Sequence, residues 1–559
     1  MNNAIKAASR KFVNSIDWKL LVFLLLFLNV KLIVKLAAVI LAYVFRPGFS
    51  LGIKKTDRAI PLFYFLLIVI ACFNFLLFKD FTNLHYDIVF ITGIGFWLLC
   101  LLAVNQVRIA AMQNPPEKTH NTLLVFFITN CVASFIRLAT IILDAGALNP
   151  YRYQGMYQKY FIGTGDLIRG ITFDTSTTNA VICAAGVVYF LCRKQALMTL
   201  LCMATLLLTG SNFTNLALIA VMIYLFAFRS DRLQKSLMVI CCMLLVVFMA
   251  KISPQNDTYA TGIIKKLFSK NNYPGLSASN TSKQITAEPT DPEAEKKAFA
   301  KHYLDSISML LAKLEAKSAQ SPDEVAVGGT VPVFSERPEI PQPSIHSQPF
   351  QRKKDTLTEQ RVLINYIQHS EPANNKVSAF PEKYPGKLIS FIQTGNYFKL
   401  HPGKMLTGNG MGKFSSKLAF RATALNISGG YPSRFSYVNN DFRDNHLATF
   451  LNFFSKDAEM HSVVNTPNSV YNQLMGEYGL MGIAAFVFAY IFYWIGRFKK
   501  GGFGFPLLLL LCAIFFVDYW FEQLSIVVLF ELMMFLDIKE EKTAQRTKAM
   551  TWKDQVLQY

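Results

Sequence analysis

The sequence lacks the signatures of most cofactor-dependent enzymes. It has no His-Glu-x-x-His pattern and no Cys/His ligand spacing around His401, His446 or His461, so we expect no metal site. The glycine run GNGMG at 408–412 has neither the strand-turn-helix context nor the downstream acid of a nucleotide-binding motif. We interpret this run as a tight glycine turn.

Cysteine is scarce and confined to apolar sequence. All nine cysteines fall in or at the ends of apolar runs, and the polar segment from residue 253 to about 466 contains none. No disulfide framework is therefore expected, and the cysteines should act as small buried hydrophobes. No Ala-x-Ala cleavage pattern follows the first apolar run, which predicts a retained span instead of a signal peptide.

Acidic residues are under-represented, with 36 Asp and Glu against 56 Lys and Arg and a formal net charge of +20. A nucleic-acid binder could carry this charge, but 52% of the residues are hydrophobic and the basic residues flank apolar runs. We therefore predict an all-α polytopic membrane protein with about 12 transmembrane helices and no nucleic-acid partner. Several runs reach the roughly 17 to 25 residues that a spanning helix needs. The predicted spans are 18–30, 32–45, 60–78, 87–107, 122–143, 177–192, 195–209, 212–228, 236–252, 477–496, 503–519 and 524–536.

The basic residues also determine the predicted orientation. With the N-terminus inside, the cytoplasmic connections hold most of the Lys and Arg, whereas the short outer turns hold almost none. The positive-inside rule therefore predicts that both termini are cytoplasmic. Lys31 and Lys35, at the start of the second span, should reach the outer interface with their side chains.

The predicted spans divide the chain into a membrane domain and one long outer loop. The membrane domain comprises residues 1–252, with spans 1 to 9, and residues 477–537, with spans 10 to 12. The loop has a largely disordered part at 253–354 and a folded helical part at 355–476, and a cytoplasmic tail follows at 538–559.

Helical periodicity marks three segments of this loop. Residues 294–318 place apolar side chains on one face inside the otherwise disordered part. Residues 356–368 and 386–400 are amphipathic and are predicted to be helices of the folded part. We find no catalytic chemistry in the disordered part.

The fifth predicted span contains a charged side chain, Arg137. In a fully apolar environment an arginine costs at least roughly 2.5 to 3.5 kcal/mol on insertion scales. It either faces a cavity and binds an anion or forms a structural pair with an acid of the last two spans. Those acids are Asp518, Glu522 and Glu531.

The outer loop at 144–176 is rich in Tyr, Arg and Gly. Aromatic rings stack on sugars and arginine binds phosphate through paired hydrogen bonds, so the loop suits a phosphorylated glycan. Tyrosines that pack at the membrane interface explain the same composition equally well.

Residues 466–494 lead from the outer loop back into the membrane. Asn468, Tyr471, Gln473 and Glu477 cluster just before a membrane-length run, where their polar groups should lie at the water–lipid boundary. An ionisable group at this depth costs free energy unless it pairs with another group or takes part in the function of the protein. The alternative is an interfacial anchor, because Tyr favours headgroup depth and Glu complements a helix N-terminus.

Three local patterns carry a family resemblance. They are RGITFDTSTTNAV at 169–181, MLTGNGMGKFSSKLA at 405–419 and PNSVYNQLMGEYGLMG at 467–482. With these patterns and its topology, the chain resembles the bacterial O-antigen ligase and O-antigen polymerase superfamily of membrane glycosyltransferases. The third pattern is the most specific, since it is similar to the family's His-Asn-x-Tyr…Glu-x-Gly signature.

The chain departs from the family pattern at two places. The signature has Asn468 followed by Ser469 where the family has His and Asn, and the eighth span begins with Ser211–Asn212 where the family often has Ser-Arg. A neutral Asn cannot accept a proton. The candidates for a base are His461 and Glu477; alternatively, Asn468 orients the acceptor and no base acts.

The resemblance implies transfer of a glycan from undecaprenyl diphosphate to a glycan or lipid acceptor on the outer face of the bacterial inner membrane. It implies no cofactor and no metal. Arg169 and Arg137 are the expected catalytic donors to the leaving diphosphate, because fixed arginines hold developing negative charge well. The expected substrate-binding residues are Asn468, Tyr471, Arg421, Arg434 and Asn179.

Two functions without catalysis remain open at the level of sequence. One is a multipass glycan or lipid transporter, although no internal repeat of the kind that many transporters have is evident. The other is a membrane scaffold of a polysaccharide export system. Ligase and polymerase share the fold and the donor, so the sequence does not separate them.

Overall fold

The structure is a computed structural model of the 559-residue chain. It describes residues 13–29, 31–48, 60–151, 164–172, 174–253, 385–423, 431–447, 449–450, 463–498 and 502–556. Within these ranges 78% of the residues are helical and no strand occurs, as predicted for an all-α protein.

Apolar helices fill the first half of the chain. They are α1 (Trp18–Phe27), α2 (Leu32–Phe45), α3 (Phe63–Leu77), α4 (Leu84–Gln113), α5 (Pro116–Ala145), α6 (Ser176–Cys192), α7 (Ala196–Leu208), α8 (Asn212–Phe228) and α9 (Arg232–Val247, extended by a π-turn over Phe248–Ile252). The C-terminal half contains α10 (Gly386–Leu400), α11 (Lys417–Ala422), α12 (Val470–Ala485, continued to Ile495), α13 (Gly504–Ile514), α14 (Trp520–Gln523) and α15 (Ser525–Val556).

Four helical segments of the described chain are long and apolar enough to cross a membrane. They are Leu84–Gln113, Pro116–Ala145, Arg232–Ile252 and Val463–Ile495. The other predicted spans coincide with shorter apolar helices of 10 to 17 residues or, for the last one, with the first part of α15. The chain is thus a helical membrane protein, and the number of twelve spans stays a prediction.

Polar side chains at the helix ends explain where several helices begin. Asp17, Asn83 and Thr175 each accept a hydrogen bond from a backbone N–H in the first turn of the helix that follows. Asp231 starts α9 with a complete capping box. Such caps satisfy N–H groups that have no partner within the helix.

Two helices form the centre of the bundle. Every residue of α6 from Ala180 to Leu191 is buried, and so is every residue of α15 from Ile526 to Leu536. A helix that is apolar on all sides lies in the interior, whereas α2 and α3 expose apolar side chains such as Ile33, which is 73% exposed. The exposed apolar surface is the expected lipid-facing side.

The polar ends of the helices form two separate groups. At one end Asp17 pairs with Arg46 and accepts a hydrogen bond from Asn114, and Arg193 pairs with Glu540. These connections are the ones that the sequence predicts to be cytoplasmic. Segments predicted to be outside contribute to a cleft described below. The topology, including which side faces the cytoplasm, stays a prediction.

The folded part of the long loop contains the predicted helix at 386–400, which is α10. The predicted helices at 294–318 and 356–368, and the predicted disorder of 253–354, lie outside the described residues apart from position 253. The predicted tail at 538–559 continues α15 as far as Val556. All nine cysteines are free, and most of them are buried or partly buried.

Candidate functional site

The three family-like segments meet at one cleft. Asp174 from the first segment and Lys417 from the second line this cleft. Gln473, from the third, donates a hydrogen bond to Glu522, which also lines it. These residues are far apart in sequence, so only the fold brings them together.

Three cationic side chains face this cleft: Lys35 from α2, and Lys417 and Arg421 from α11. Lys35 is only 5% exposed, and its ammonium donates to the hydroxyl of Ser525 at 3.0 Å and to the carbonyl of Gln523. Both oxygens are neutral, and Lys35 forms no ion pair with a carboxylate among the residues that the structure describes.

The short helix α11 presents its two basic residues together. The Ser416 hydroxyl caps the helix by accepting a hydrogen bond from the Ala419 backbone N–H at 3.0 Å. Lys417 and Arg421 are four residues apart and therefore lie on the same helical face. Both side chains are partly exposed toward the cleft.

Glu522 lies in the short helix α14, between α13 and α15. Its Oε2 accepts a hydrogen bond from the Leu418 backbone N–H at 2.9 Å, and its Oε1 accepts one from the Gln473 side chain. Burial, and next the nearby Glu477, raises the pKa of Glu522 to about 8 despite the cations on α11. Each carboxylate oxygen keeps a free lone pair, so Glu522 can still accept a proton or a hydrogen bond.

The apolar wall of the cleft consists of Leu28, Leu32 and Phe96. Leu32 is also 39% exposed on the outer surface of the bundle. The cavity volume of the cleft is about 30 Å³, and its mouth is open to solvent. Three basic side chains outnumber the two acidic ones, Asp174 and Glu522, in the lining, and this balance together with the apolar wall suits an amphiphile with an anionic head.

Glu477 is buried and does not line this cleft. Its Oε1 accepts a hydrogen bond from the Phe414 backbone N–H at 3.3 Å, and the N–H groups of Gly412 and Lys413 also point to the carboxylate. The glycine loop thus encloses the side chain of Glu477. In this arrangement the glutamate fixes the loop to α12.

The glycine run at 408–412 is a tight turn, as the sequence predicts. Gly408, Gly410 and Gly412 have φ values of 81°, 103° and 72°, which only glycine adopts without strain. The Gly410 N–H donates to the Glu477 carbonyl at 3.1 Å. A β-carbon at Gly408 would lie 2.4 Å from the backbone of Glu477, so the contact between the turn and α12 requires glycine.

Asn468 and Tyr471 are occupied by contacts with the neighbouring helix. The Asn468 amide donates to Asp518 at 3.2 Å, and the Tyr471 hydroxyl donates to the Cys512 carbonyl at 2.7 Å. Lys387 from α10 donates to the Asn468 carbonyl as well, and burial lowers the pKa of this lysine to about 7. These contacts hold the start of α12 against α13.

Asn179 connects the described end of the outer loop to α5 and α6 through hydrogen bonds. It accepts a hydrogen bond from Asn130 at 2.7 Å and donates to the Ile168 carbonyl at 2.9 Å, while Asn130 accepts from the Ile171 N–H at 3.1 Å. Gly170 between them has a φ of 58°, and a β-carbon there would lie 2.2 Å from Asn130. Asn179 is completely buried and fixes the loop in place.

The arginines proposed from sequence lie in different environments. Arg421 lines the cleft, whereas Arg169, Arg137 and Arg434 have exposed side chains and are not among its lining residues. Arg434 stacks on the ring of Phe435 at 4.5 Å.

The acids considered as partners for Arg137 have other contacts. Glu531 binds the Tyr64 hydroxyl, Asp518 binds Asn468 and Glu522 binds Gln473. No ion pair joins Arg137 to any of the three acids, all of which belong to the described chain.

Of the three histidines considered from sequence, the two that the structure describes, His401 and His446, offer no base at the cleft. His461 lies outside the described residues, and His401 stacks on Tyr397 at 4.6 Å. His446 is completely buried against Phe414, and burial lowers its pKa to about 3. Among the residues that the structure describes, no group of three His, Cys, Asp or Glu side chains could hold a metal ion.

Sequence reasoning missed Lys35, Lys417 and Asp174 as site residues and considered Glu522 only as a pairing partner. One signal was present, because Lys35 is the single charged residue of the apolar run 32–45. A second was the spacing of Lys417 and Arg421. Comparison of the chain with known protein families, with curated proteins and with solved structures gives no match.

Proposed function

We propose that the chain is a glycosyltransferase that moves or polymerises a glycan carried on a polyprenyl diphosphate, as a ligase or polymerase of surface polysaccharide or exopolysaccharide. In this proposal it crosses the bacterial inner membrane twelve times, with both termini in the cytoplasm. The cleft then opens on the periplasmic side, where lipid-linked glycans and their acceptors would meet.

The observation that supports this proposal most is the convergence of three family-like segments on one cationic cleft. Lys35, Lys417 and Arg421 supply positive charge that suits a diphosphate. The apolar wall with Leu32 and Phe96 suits the first part of a lipid tail, which would reach the cleft from the side of the bundle.

The reaction needs stabilisation of a leaving group. The oxygen of the acceptor hydroxyl bonds to the anomeric carbon, the bond from that carbon to the diphosphate oxygen breaks, and its electron pair stays on the lipid diphosphate. Lys417, Arg421 and Lys35 offset this negative charge. Removing one such donor typically slows a reaction on the order of 10²- to 10³-fold.

Glu522 takes the role of proton acceptor in this scheme. The signature has Asn468 at the place where the family has His, and Gln473 of the same segment instead holds the Glu522 carboxylate. The proton of the acceptor hydroxyl passes to the Glu522 carboxylate and then to solvent. A carboxyl group with a pKa of about 8 is a stronger base than an ordinary glutamate.

A deletion strain provides the test in cells. Accumulated single lipid-linked repeats would indicate a polymerase, and accumulated long lipid-linked chains would indicate a ligase. Unchanged polysaccharide and unchanged lipid-linked pools would contradict the proposal.

A purified preparation separates catalysis from transport. In detergent micelles there are no two compartments, so a transporter or a scaffold forms no new glycosidic bond from a lipid-linked glycan and an acceptor. The proposed enzyme forms product under these conditions. Absence of product with every lipid-linked repeat of the source organism would favour the functions without catalysis.

A further inference from the structure

A second cleft lies at the opposite end of the bundle, between α1, α2 and α4. Its volume is about 220 Å³, and its walls include Val22, Leu26, Ala38 and Leu41. Val22 and Leu41 are more than 40% exposed, so the groove opens to the lipid-facing surface. It shares no lining residue with the cationic cleft.

One end of this groove is polar and positively charged. Trp18, Lys19 and Arg46 line it there. Arg46 pairs with Asp17, whereas Lys19 is exposed, lies 4.9 Å above the ring of Phe45 and forms no ion pair within the described ranges. The Lys19 ammonium therefore remains available to an anion.

The length of the groove matches one leaflet of a bilayer. Trp18 at the polar end and Leu26 farther along are eight residues apart on α1, which is roughly 12 Å at 1.5 Å per residue. Half of a hydrocarbon core of about 30 Å has a similar depth. Tryptophan and lysine favour the membrane interface, so the polar end lies where lipid phosphates lie.

The sequence around the groove adds positive charge. Lys6, Arg10 and Lys11 precede α1, and Lys54 and Lys55 follow α2. Basic residues next to a membrane surface attract anionic lipids in preference to zwitterionic ones. The polar end of the groove is also the end that the sequence predicts to be cytoplasmic.

We propose that this groove binds an anionic glycerophospholipid. The phosphate lies on the Lys19 ammonium, and one acyl chain runs between α1 and α2 toward Leu26 and Ala38. This site is independent of the glycosyl transfer proposed above, because it lies at the other end of the bundle and shares no lining residue with the cationic cleft.

Purified full-length protein in detergent allows a direct test with two lipids that have identical acyl chains. Phosphatidylglycerol and phosphatidylcholine are titrated separately, and bound lipid is counted by native mass spectrometry. The wild-type protein should bind the first phosphatidylglycerol more tightly than phosphatidylcholine. Lys19→Gln should weaken the binding of phosphatidylglycerol about fivefold, which corresponds to one basic residue at a membrane surface, and leave phosphatidylcholine unchanged.

Lys31→Gln is the matched control, because Lys31 is an exposed lysine at the other end of the same helical pair. This variant should keep the wild-type preference. Ala42→Phe fills the groove and should reduce binding of both lipids. If this variant fails to fold, the comparison of the two lysine variants still tests the proposal. Equal affinities of the wild type for the two lipids, or an unchanged preference in Lys19→Gln, would overturn the proposal.

Discussion

Glu477 and Glu522 are two acids of similar sequence context with different surroundings. Glu477 is enclosed by backbone N–H groups of the glycine loop and does not line the cationic cleft. Glu522 receives two hydrogen bonds and faces Lys417 and Arg421 across an open cleft. Burial alone therefore does not indicate a reactive acid. Whether a buried carboxylate can react depends on the groups around it and on its access to a cavity.

The largest effect is expected where the glycine loop contacts α12. Gly479 has a φ of 63°, and a β-carbon there would lie 2.5 Å from the backbone nitrogen of Gly408. Gly479→Ala should prevent stable folding, because neither backbone can move away. Gly395→Ala is the control, since a β-carbon at that position meets nothing within 4 Å. The yield of monodisperse protein and its melting temperature are measured for both variants. If Gly479→Ala had the melting temperature of the wild type, the loop would not need this contact.

The next largest effect concerns the cations of the cleft. Arg421→Ala should lower the rate of glycan transfer on the order of 10²-fold, because one fixed donor to the leaving diphosphate is lost. Arg434→Ala removes an exposed arginine that lies outside the cleft and should change the rate less than about twofold. Equal losses in the two variants would remove the cleft from the mechanism.

Replacing Glu477 should affect stability more than catalysis. Glu477→Gln leaves the loop N–H groups facing an amide, which should lower the free energy of unfolding by roughly 1 to 3 kcal/mol. The rate should fall only a few-fold. The substitution also removes the nearby charge that raises the pKa of Glu522, so the pH dependence of the rate should move to lower pH. A severe loss of rate at unchanged stability would place Glu477 in the chemistry after all.

The smallest effect is expected at Tyr471. Its hydroxyl donates to the Cys512 carbonyl at 2.7 Å, and Tyr471→Phe should cost about 1 kcal/mol of stability or less. The rate should not change, because the ring still packs against Phe516. Thermal unfolding and the transfer assay check the two parts separately, and a large loss of rate would return Tyr471 to the substrate site.

The positions of the apolar helices could be predicted because hydrophobicity over a run of residues is a local property. Residues 386–400 also became a helix as predicted, since the amphipathic pattern is local. Each of the three family-like segments is a local pattern that is visible in the sequence. The place where the three segments meet could not be predicted, because it depends on contacts between distant residues. One example is the hydrogen bond between Leu418 and Glu522, which are 104 residues apart.

The roles of the two glutamates could not be separated from sequence for the same reason. Each acid stands beside an apolar run, and the residues that surround it come from elsewhere in the chain. Lys35 was open to prediction as a site residue, because a lone charge in an apolar run needs a partner. Its partners, Gln523 and Ser525, lie 488 and 490 residues away along the chain.

The pH dependence of glycan transfer by the wild type and by Glu522→Gln tests the central claim most directly. A base with a pKa of about 8 predicts that the wild-type rate rises as the pH passes through about 8, because the carboxylate must be ionised to accept the proton. In Glu522→Gln this rise should disappear and the rate should fall on the order of 10²- to 10³-fold, with a melting temperature close to that of the wild type. A Glu522→Gln protein with the wild-type rate and the wild-type rise would contradict the assignment of Glu522 as the base of a transfer reaction in this cleft.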